Sequence, residues 1–330
     1  MRIGTIEAAH GQKAFGYFKT GETHGRFDVH IPLHVVRGAQ PGPTLVVQAG
    51  LSGLEIEPAL VLPSIVKALD PSQMHGTLVL VPLLNTSGFE FEQDVSAWDG
   101  KHPNEVGAGR ADGTITEQMM HRYYQEVVLP ADALLDIRTG SQWSYHCYAG
   151  VYDVGAVAAS KGLAAALGVP QVVLGQLLDA SLALAAAQAG KTVALACIGG
   201  GPRLRDHRHE DLQRLERAVT NALKHLGILS GTPEVESRTV SVIRPHSVLR
   251  PTGERGFTLM DFSKRGQAVQ AGEELGVVRH PFTGAVVERI TAPRAGVVVN
   301  AGLAWPVPLE GLVAAMIGDV IEKIILNVQD

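Results

Sequence analysis

Four short segments place polar side chains where apolar runs end, and those residues are where chemistry is sought first. The segment 49–57 (AGLSGLEIE) holds Ser52 and Glu55, a hydroxyl and a carboxylate three residues apart. The glycine-rich stretch 99–117 (DGKHPNEVGAGRADGTITE) offers Asn104, Glu105 and Arg110. The segment 136–140 (DIRTG) carries the guanidinium of Arg138, and 196–201 (ACIGGG) the thiol of Cys197. A carboxylate can hold a metal or take a proton, a guanidinium can grip a carboxylate, and a thiolate can attack a carbonyl.

Each group also has a plainer reading. Glu55 stands open between capping the helix that follows it and a buried ion pair. Ser52 reads as a loop hydroxyl, and Arg138 as a structural ion-pair partner or a carboxylate holder. Glu105 and Arg110 suit a solvated loop. Cys197 suits a small buried strand residue, because a reactive thiol needs an electropositive setting and a nearby base.

The elements that must position these groups alternate. Segments such as RFDVHIPLHVV within residues 1–40 predict strands with a hairpin-like edge. TLVVQAG (44–50), TLVLVPLLN (77–85), DALLDI (132–137) and KTVALACIGGG (191–201) read as strands buried on both faces. Helices are expected from about Glu57 to Leu69, over 156–167, over 176–189 and over roughly 208–226, the last capped by Asp206. Pro58 fits a first helical turn, and Pro63 is expected to bend the first helix. Thr114 and Glu117 form a capping box that opens a helix to about Leu129. The alternation predicts an α/β fold with a mixed, largely parallel sheet and helices on both faces, over residues 1–235. Residues 236–330 break into short β-rich pieces, with no helix expected before the C-terminus, and read as a small all-β domain. Its phrases GQAVQAGEELGVV and ITAPRAGVVV resemble the barrel-sandwich modules related to lipoyl and biotinyl domains. No lysine sits in a matching carrier turn, so a structural or gating role is expected, with lipoyl-type attachment as the alternative.

With 330 residues, 45% apolar and 18% charged, the chain can fill a large core. A net charge of −5 without a basic run argues against nucleic acid as a partner. Cys147 and Cys197 suit a reducing compartment. The N-terminal residues lack the apolar core of a signal peptide, and the most apolar stretch, 176–198, is interrupted by Asp179, Gln188, Gly190 and Lys191. No membrane association is expected, and the cytoplasm is the expected location.

Taken together and in order, the four segments resemble the succinylglutamate desuccinylase/aspartoacylase family, which is related to zinc carboxypeptidases. The resemblance implies a zinc-carboxypeptidase-like fold and zinc-dependent deacylation. In that family the first segment reads A-G-x-H-G-x-E, with His and Glu on zinc; here Ser52 replaces the His and Glu55 remains. The second reads D-G-x-x-x-N-R-x-x-P-G and then G-S/T-x-T-E. Here Asp99, Gly100, Asn104, Val106, Gly109, Gly113, Thr114, Thr116 and Glu117 fall in register, with Glu105 in place of the substrate-binding arginine. The third reads D-x-H-T-G, and Arg138 replaces the remaining His ligand between Asp136 and Thr139. Aligning the fourth on its glycines puts Cys197 where the family has its general-base Glu.

On this reading no zinc cofactor is expected, because a catalytic zinc needs three protein ligands and Glu55 alone remains. Arg138 is expected to pair with Glu55 or Glu105 and so replace the metal's charge, with Arg110 in reserve. Glu55 with His102, His146 and Cys147 is a second candidate metal set, although adjacent residues on an extended segment point opposite ways. His207 and His209 are spaced i, i+2 and do not face one metal on a helix. The expected function is a non-catalytic relative that binds a small carboxylate or acyl-amino-acid-like molecule through Ser52, Asn104, Arg110 and Arg138, or that regulates an active paralogue. Homo-oligomers are a further partner class. Two alternatives stay open: a hydrolase using a relocated metal or none, and a structural role with a vestigial pocket.

Overall fold

The computed structural model describes residues 1–140, 145–175, 180–200, 209–251, 256–302 and 313–326. A two-stranded ribbon, β1 (Arg2–Ile3) and β2 (Ile6–Glu7), precedes the long hairpin β3 (Gln12–Glu22) and β4 (Asp28–Arg37). The alternating α/β run follows: β5 (Gln40–Gln48), α1 (Glu57–Ala68), β6 (His75–Val81), α2 (Thr86–Glu90), α3 (Ile115–Tyr123) and β7 (Ala133–Arg138). It continues with β8 (Tyr145–Val151), α4 (Val157–Ala166), β9 (Gln171–Leu174), α5 (Leu182–Gln188), β10 (Thr192–Gly200) and α6 (His209–His225). The last third holds β11 (Thr239–Leu249), β12 (Phe257–Met260), β13 (Ala268–Val269), β14 (Glu274–Arg279), β15 (Val286–Thr291), β16 (Gly296–Ala301) and β17 (Ala315–Ile325).

One sheet of 12 strands, in the order β13-β16-β17-β11-β9-β8-β10-β7-β5-β6-β4-β3, runs through the molecule. Parallel pairing joins β6, β5, β7 and β10, and again β8, β9 and β11. The two parallel blocks meet antiparallel at β10 and β8, and antiparallel strands close both edges. The sheet is therefore mixed, parallel at its middle. Side chains alternate across it: Leu45 and Val47 of β5 pack with α1, α4 and α6, whereas Val46 packs with α3 and α5 on the other face. Burying each such side chain contributes about 1.5–3 kcal/mol.

β11, β13, β16 and β17 extend the central sheet beyond residue 235, and β12, β14 and β15 form a separate antiparallel sheet. A hydrophobic cluster of their own, including Leu275, Val278, Ile290, Val298 and Ile317, fills the space between them. No α-helix occurs after α6 among the described residues, and the C-terminal apolar run is the strand β17.

Local expectations meet the structure at several points. α1 starts at Glu57 with Pro58 in its first turn and carries Pro63 inside it. The capping box is formed: Thr114 N donates to Glu117 Oε2 at 2.7 Å. α3 then widens into a π turn over Tyr124–Val128 that closes at Leu129. β8 and β9 lie where no strand was expected. β8 carries His146 and Cys147 among its apolar residues, and β9 has four residues, too short for a period to show. Asp206, His207, residues 176–179 and Gly201 lie outside the described residues.

Candidate functional site

The site begins with strand register. β5, β7 and β10 are parallel neighbours, so the turns that follow them leave the same edge of the sheet. Gln48 sits opposite Asp136, and Arg138 opposite Cys197. The segments carrying Ser52, Glu55, Arg138 and Cys197 are thereby brought together.

The first turn is held rigidly. Gly50 has φ +66°, a left-handed conformation that glycine takes without steric cost. Gly53 lies against the backbone of Gly88, where a Cβ would sit 2.0 Å from a carbonyl carbon. Ser52, 4% exposed, donates a short hydrogen bond to Asp94 Oδ1 and accepts one from Leu54 N at 3.1 Å. His102 Nε2 lies 3.7 Å from the same Asp94 oxygen, and its Nδ1 accepts from Asn104 N at 3.1 Å. The His102 interaction and the Ser52 hydrogen bond together outweigh burial and hold the Asp94 carboxyl below its usual range.

Glu55 is 6% exposed. It caps no helix, since Ile56 occupies the N-cap of α1. Its Oε1 accepts Thr139 N at 2.9 Å, whereas its Oε2 is buried with no hydrogen-bond partner among the described residues. Burial pushes its carboxyl up to about 7, while Arg138 and the Thr139 amide pull the other way.

Arg138 departs from expectation. Its ion pair is with Asp136, reached through Nε at 2.9 Å and Nη2 at 2.7 Å. Nη2 also donates to Asn104 Oδ1 at 2.5 Å. Glu55 is near enough to act on its charge but forms no ion pair with it. The expected pairing with Glu55 or Glu105 is corrected for a geometric reason. Asp136 is two residues back on the same strand, hence on the same face. Asp136 is fully buried and also accepts Gln48 Nε2 at 3.1 Å. Burial alone would lower the guanidinium's pKa; the Asp136 carboxylate outweighs it, and the pKa is raised.

Glu105 is exposed on the turn Pro103–Val106. Arg110 is exposed too and pairs with its neighbour Asp112 at 3.1 Å, so it holds no carboxylate of the site in reserve. Cys197 is 5% exposed beside Tyr148 on β8. Burial drives its thiol up to about 12, against the pull of Arg138, so the thiol is protonated at neutral pH. His146 and Cys147 point to opposite sides of β8. Burial and Arg265 hold His146 down at about 4, and the Cys147 thiol, raised by burial, lies among Arg214, Asp211 and Arg265. Among the described residues no three His, Cys, Asp or Glu side chains converge as a metal set, so Glu55, His102, His146 and Cys147 do not assemble one.

Of the three positions that the family motif assigns to zinc, only Glu55 carries a suitable donor. The Ser52 hydroxyl is committed to Asp94, and a guanidinium neither coordinates a cation nor tolerates one beside it. The residues present do not fit a zinc centre with three protein ligands.

Sequence reasoning missed Gln48, Asp94 and Tyr148. Gln48 had a signal, as the one polar residue closing the apolar run of its strand. Asp94 and Tyr148 had none, because a loop crossing and an unexpected strand bring them in.

This arrangement, a mixed sheet whose parallel strand ends carry the four motif segments, is that of a zinc-carboxypeptidase-like deacylase fold. The succinylglutamate desuccinylase/aspartoacylase catalytic domain matches residues 41–226, and the chain belongs to that family. It is similar to an N-alpha-acetyl-L-2,4-diaminobutyric acid deacetylase of Halomonas elongata, 28% identical over 222 residues. That match covers 63% of this chain and spans 61% of the relative's length. A succinylglutamate desuccinylase/aspartoacylase from Rhodobacter sphaeroides superposes with a TM-score of 0.82 at 21% identity, covering 97% of this chain and 100% of that one. The product-bound ectoine utilization protein EutE (DoeB) of Ruegeria pomeroyi superposes with a TM-score of 0.79 at 23% identity, over 96% and 98% of the two chains. At these identities the structural likeness concerns the fold. No helix among the described residues is long and apolar enough to cross a membrane.

Proposed function

We propose that this member of the deacylase family binds a small carboxylate or acyl-amino-acid-like molecule without carrying out zinc-dependent hydrolysis, as a ligand-binding or regulatory relative of the active enzymes. The observation that carries the reading is the Arg138 guanidinium, held by Asp136 and Asn104 at a position where the family motif has a zinc ligand. Zinc-water activation requires an open coordination position on a metal with three protein ligands. A permanent cation in that place repels the ion and occupies its space. The buried thiol of Cys197, at the general-base position, is too weak an acid to take part as a thiolate near neutral pH.

The polar network argues against a vestigial pocket. Ser52, Glu55, Asn104 and Asp136 are each at least nine-tenths buried, and a pocket without use is filled more cheaply by apolar side chains. The test is hydrolysis of N-acetyl-L-2,4-diaminobutyrate and N-acetyl-aspartate by purified protein, with added zinc and with EDTA. No turnover above the uncatalysed rate in either condition supports the reading. Zinc-dependent turnover, abolished by EDTA, overturns it.

A further inference from the structure

Two side chains of the site have hydrogen-bonding capacity that the fold leaves unused. Arg138 donates through Nε and Nη2 only, and its Nη1, with two N–H groups, has no acceptor among the described residues. Asn104 accepts that bond at Oδ1, so its amide is oriented with Nδ2 on the other side, and Nδ2 has no acceptor among them either. The two free donors flank one hydrogen bond. Their bearers are fixed: Asn104 is 6% exposed with its backbone N–H on His102, and the Arg138 side chain is 11% exposed and clamped by Asp136. Neither group has rotamer freedom to lose on binding, the condition under which a polar site gains affinity.

We propose that Arg138 Nη1 and Asn104 Nδ2 form a two-donor cradle for the carboxylate of a small organic acid, which rests on the metal-free reading above. The chemistry selects the ligand. Both donors seek oxygen acceptors, one is cationic, and a carboxylate presents two coplanar oxygens that a guanidinium edge and a neighbouring amide can engage together. Asp136 is met by Nε and Nη2 of Arg138 and by Gln48 Nε2, which leaves the two Nη1 N–H groups uncommitted among the described residues.

Ligand-observed NMR with sodium acetate tests this, with acetamide as the uncharged isostere, at constant ionic strength, first without and then with EDTA. The expected result is saturable binding of acetate with at least tenfold weaker binding of acetamide. Asn104→Asp keeps the Oδ1 acceptor for Arg138 and replaces the free donor by a negative oxygen; it is expected to weaken acetate at least tenfold. Arg110→Ala, in an exposed loop, is expected to leave acetate binding as it is. Circular dichroism confirms that each variant is folded. Acetate binding that Asn104→Asp leaves unchanged, or acetamide binding as tight as acetate, overturns the cradle and leaves the metal-free reading standing. Acetate binding that disappears on addition of EDTA shows a metal-borne ligand site and overturns both.

Discussion

Arg138 and Asp136 stand two residues apart on β7 and are joined by two hydrogen bonds, from Nε at 2.9 Å and Nη2 at 2.7 Å to the same carboxylate oxygen. Asp136 is fully buried, so the pair is an internal one and its loss is not screened by solvent. Arg138→His leaves Asp136 with Gln48 as its remaining side-chain donor. Removing one partner of a buried pair costs about 3–5 kcal/mol, and a loss in that range is expected in urea unfolding. The same variant is expected to show no deacylase activity, because Ser52 still stands at a ligand position. A stability change under about 1 kcal/mol, well below that range, contradicts the account.

Glu55 gives the fold a pH dependence of definite sign. Its folded-state carboxyl is raised from 4.5 to about 7, so between these values the folded protein holds a proton that the unfolded chain has lost. The Glu55 contribution is therefore fully present below 4.5 and is lost as pH rises to about 7. The decline is on the order of 3 kcal/mol. Glu55→Gln is expected to remove this decline, so that variant and parent diverge most above pH 7 in denaturant titrations. Parallel pH profiles contradict the assignment.

The two thiols are expected to differ in access. Cys197 is buried with its thiol near 12, whereas Cys147 is partly exposed and lies beside Arg214 and Asp211 of α6 and Arg265. Labelling of the native protein with a maleimide near pH 7 should modify Cys147 first, and Cys197 only after unfolding, as read by peptide mass spectrometry. Faster labelling of Cys197 in the native state would show a reactive thiol at the family's general-base position.

Gly53 tests the turn that presents Ser52 and Glu55. A Cβ there would lie 2.0 Å from the Gly88 carbonyl carbon, which is backbone and cannot swing aside. Gly53→Ala is expected to destabilise the protein by more than about 2 kcal/mol, a cost typical of forced overpacking. Thermal unfolding of this variant beside Gly21→Ala, where an added Cβ would meet nothing within 4 Å among the described residues, separates crowding from a general effect of adding a methyl group.

The frame of the molecule was legible in the sequence because its signals are local. Apolar runs ending in glycine marked β5, β7 and β10, and the Thr114/Glu117 pair marked the start of α3. The motif residues then placed Ser52, Glu55 and Arg138 at one edge of the sheet. What stayed hidden depends on contacts distant in sequence. Asp94 reaches Ser52 across 42 residues, and Thr139 N reaches Glu55 across 84. The partner of Arg138 was misjudged for the opposite reason. Charge counting favoured two distant carboxylates, whereas the two-residue period of a strand puts Asp136 on the same face, beside it.

Anomalous diffraction at the zinc edge, from crystals equilibrated with excess zinc, tests the central claim most directly. The account predicts no anomalous peak within coordinating distance of Glu55, with the Arg138 guanidinium still on Asp136 and Asn104. A peak about 2.0–2.2 Å from a Glu55 oxygen, with Arg138 displaced from Asp136 to admit it, would contradict the account and restore a zinc centre to this chain.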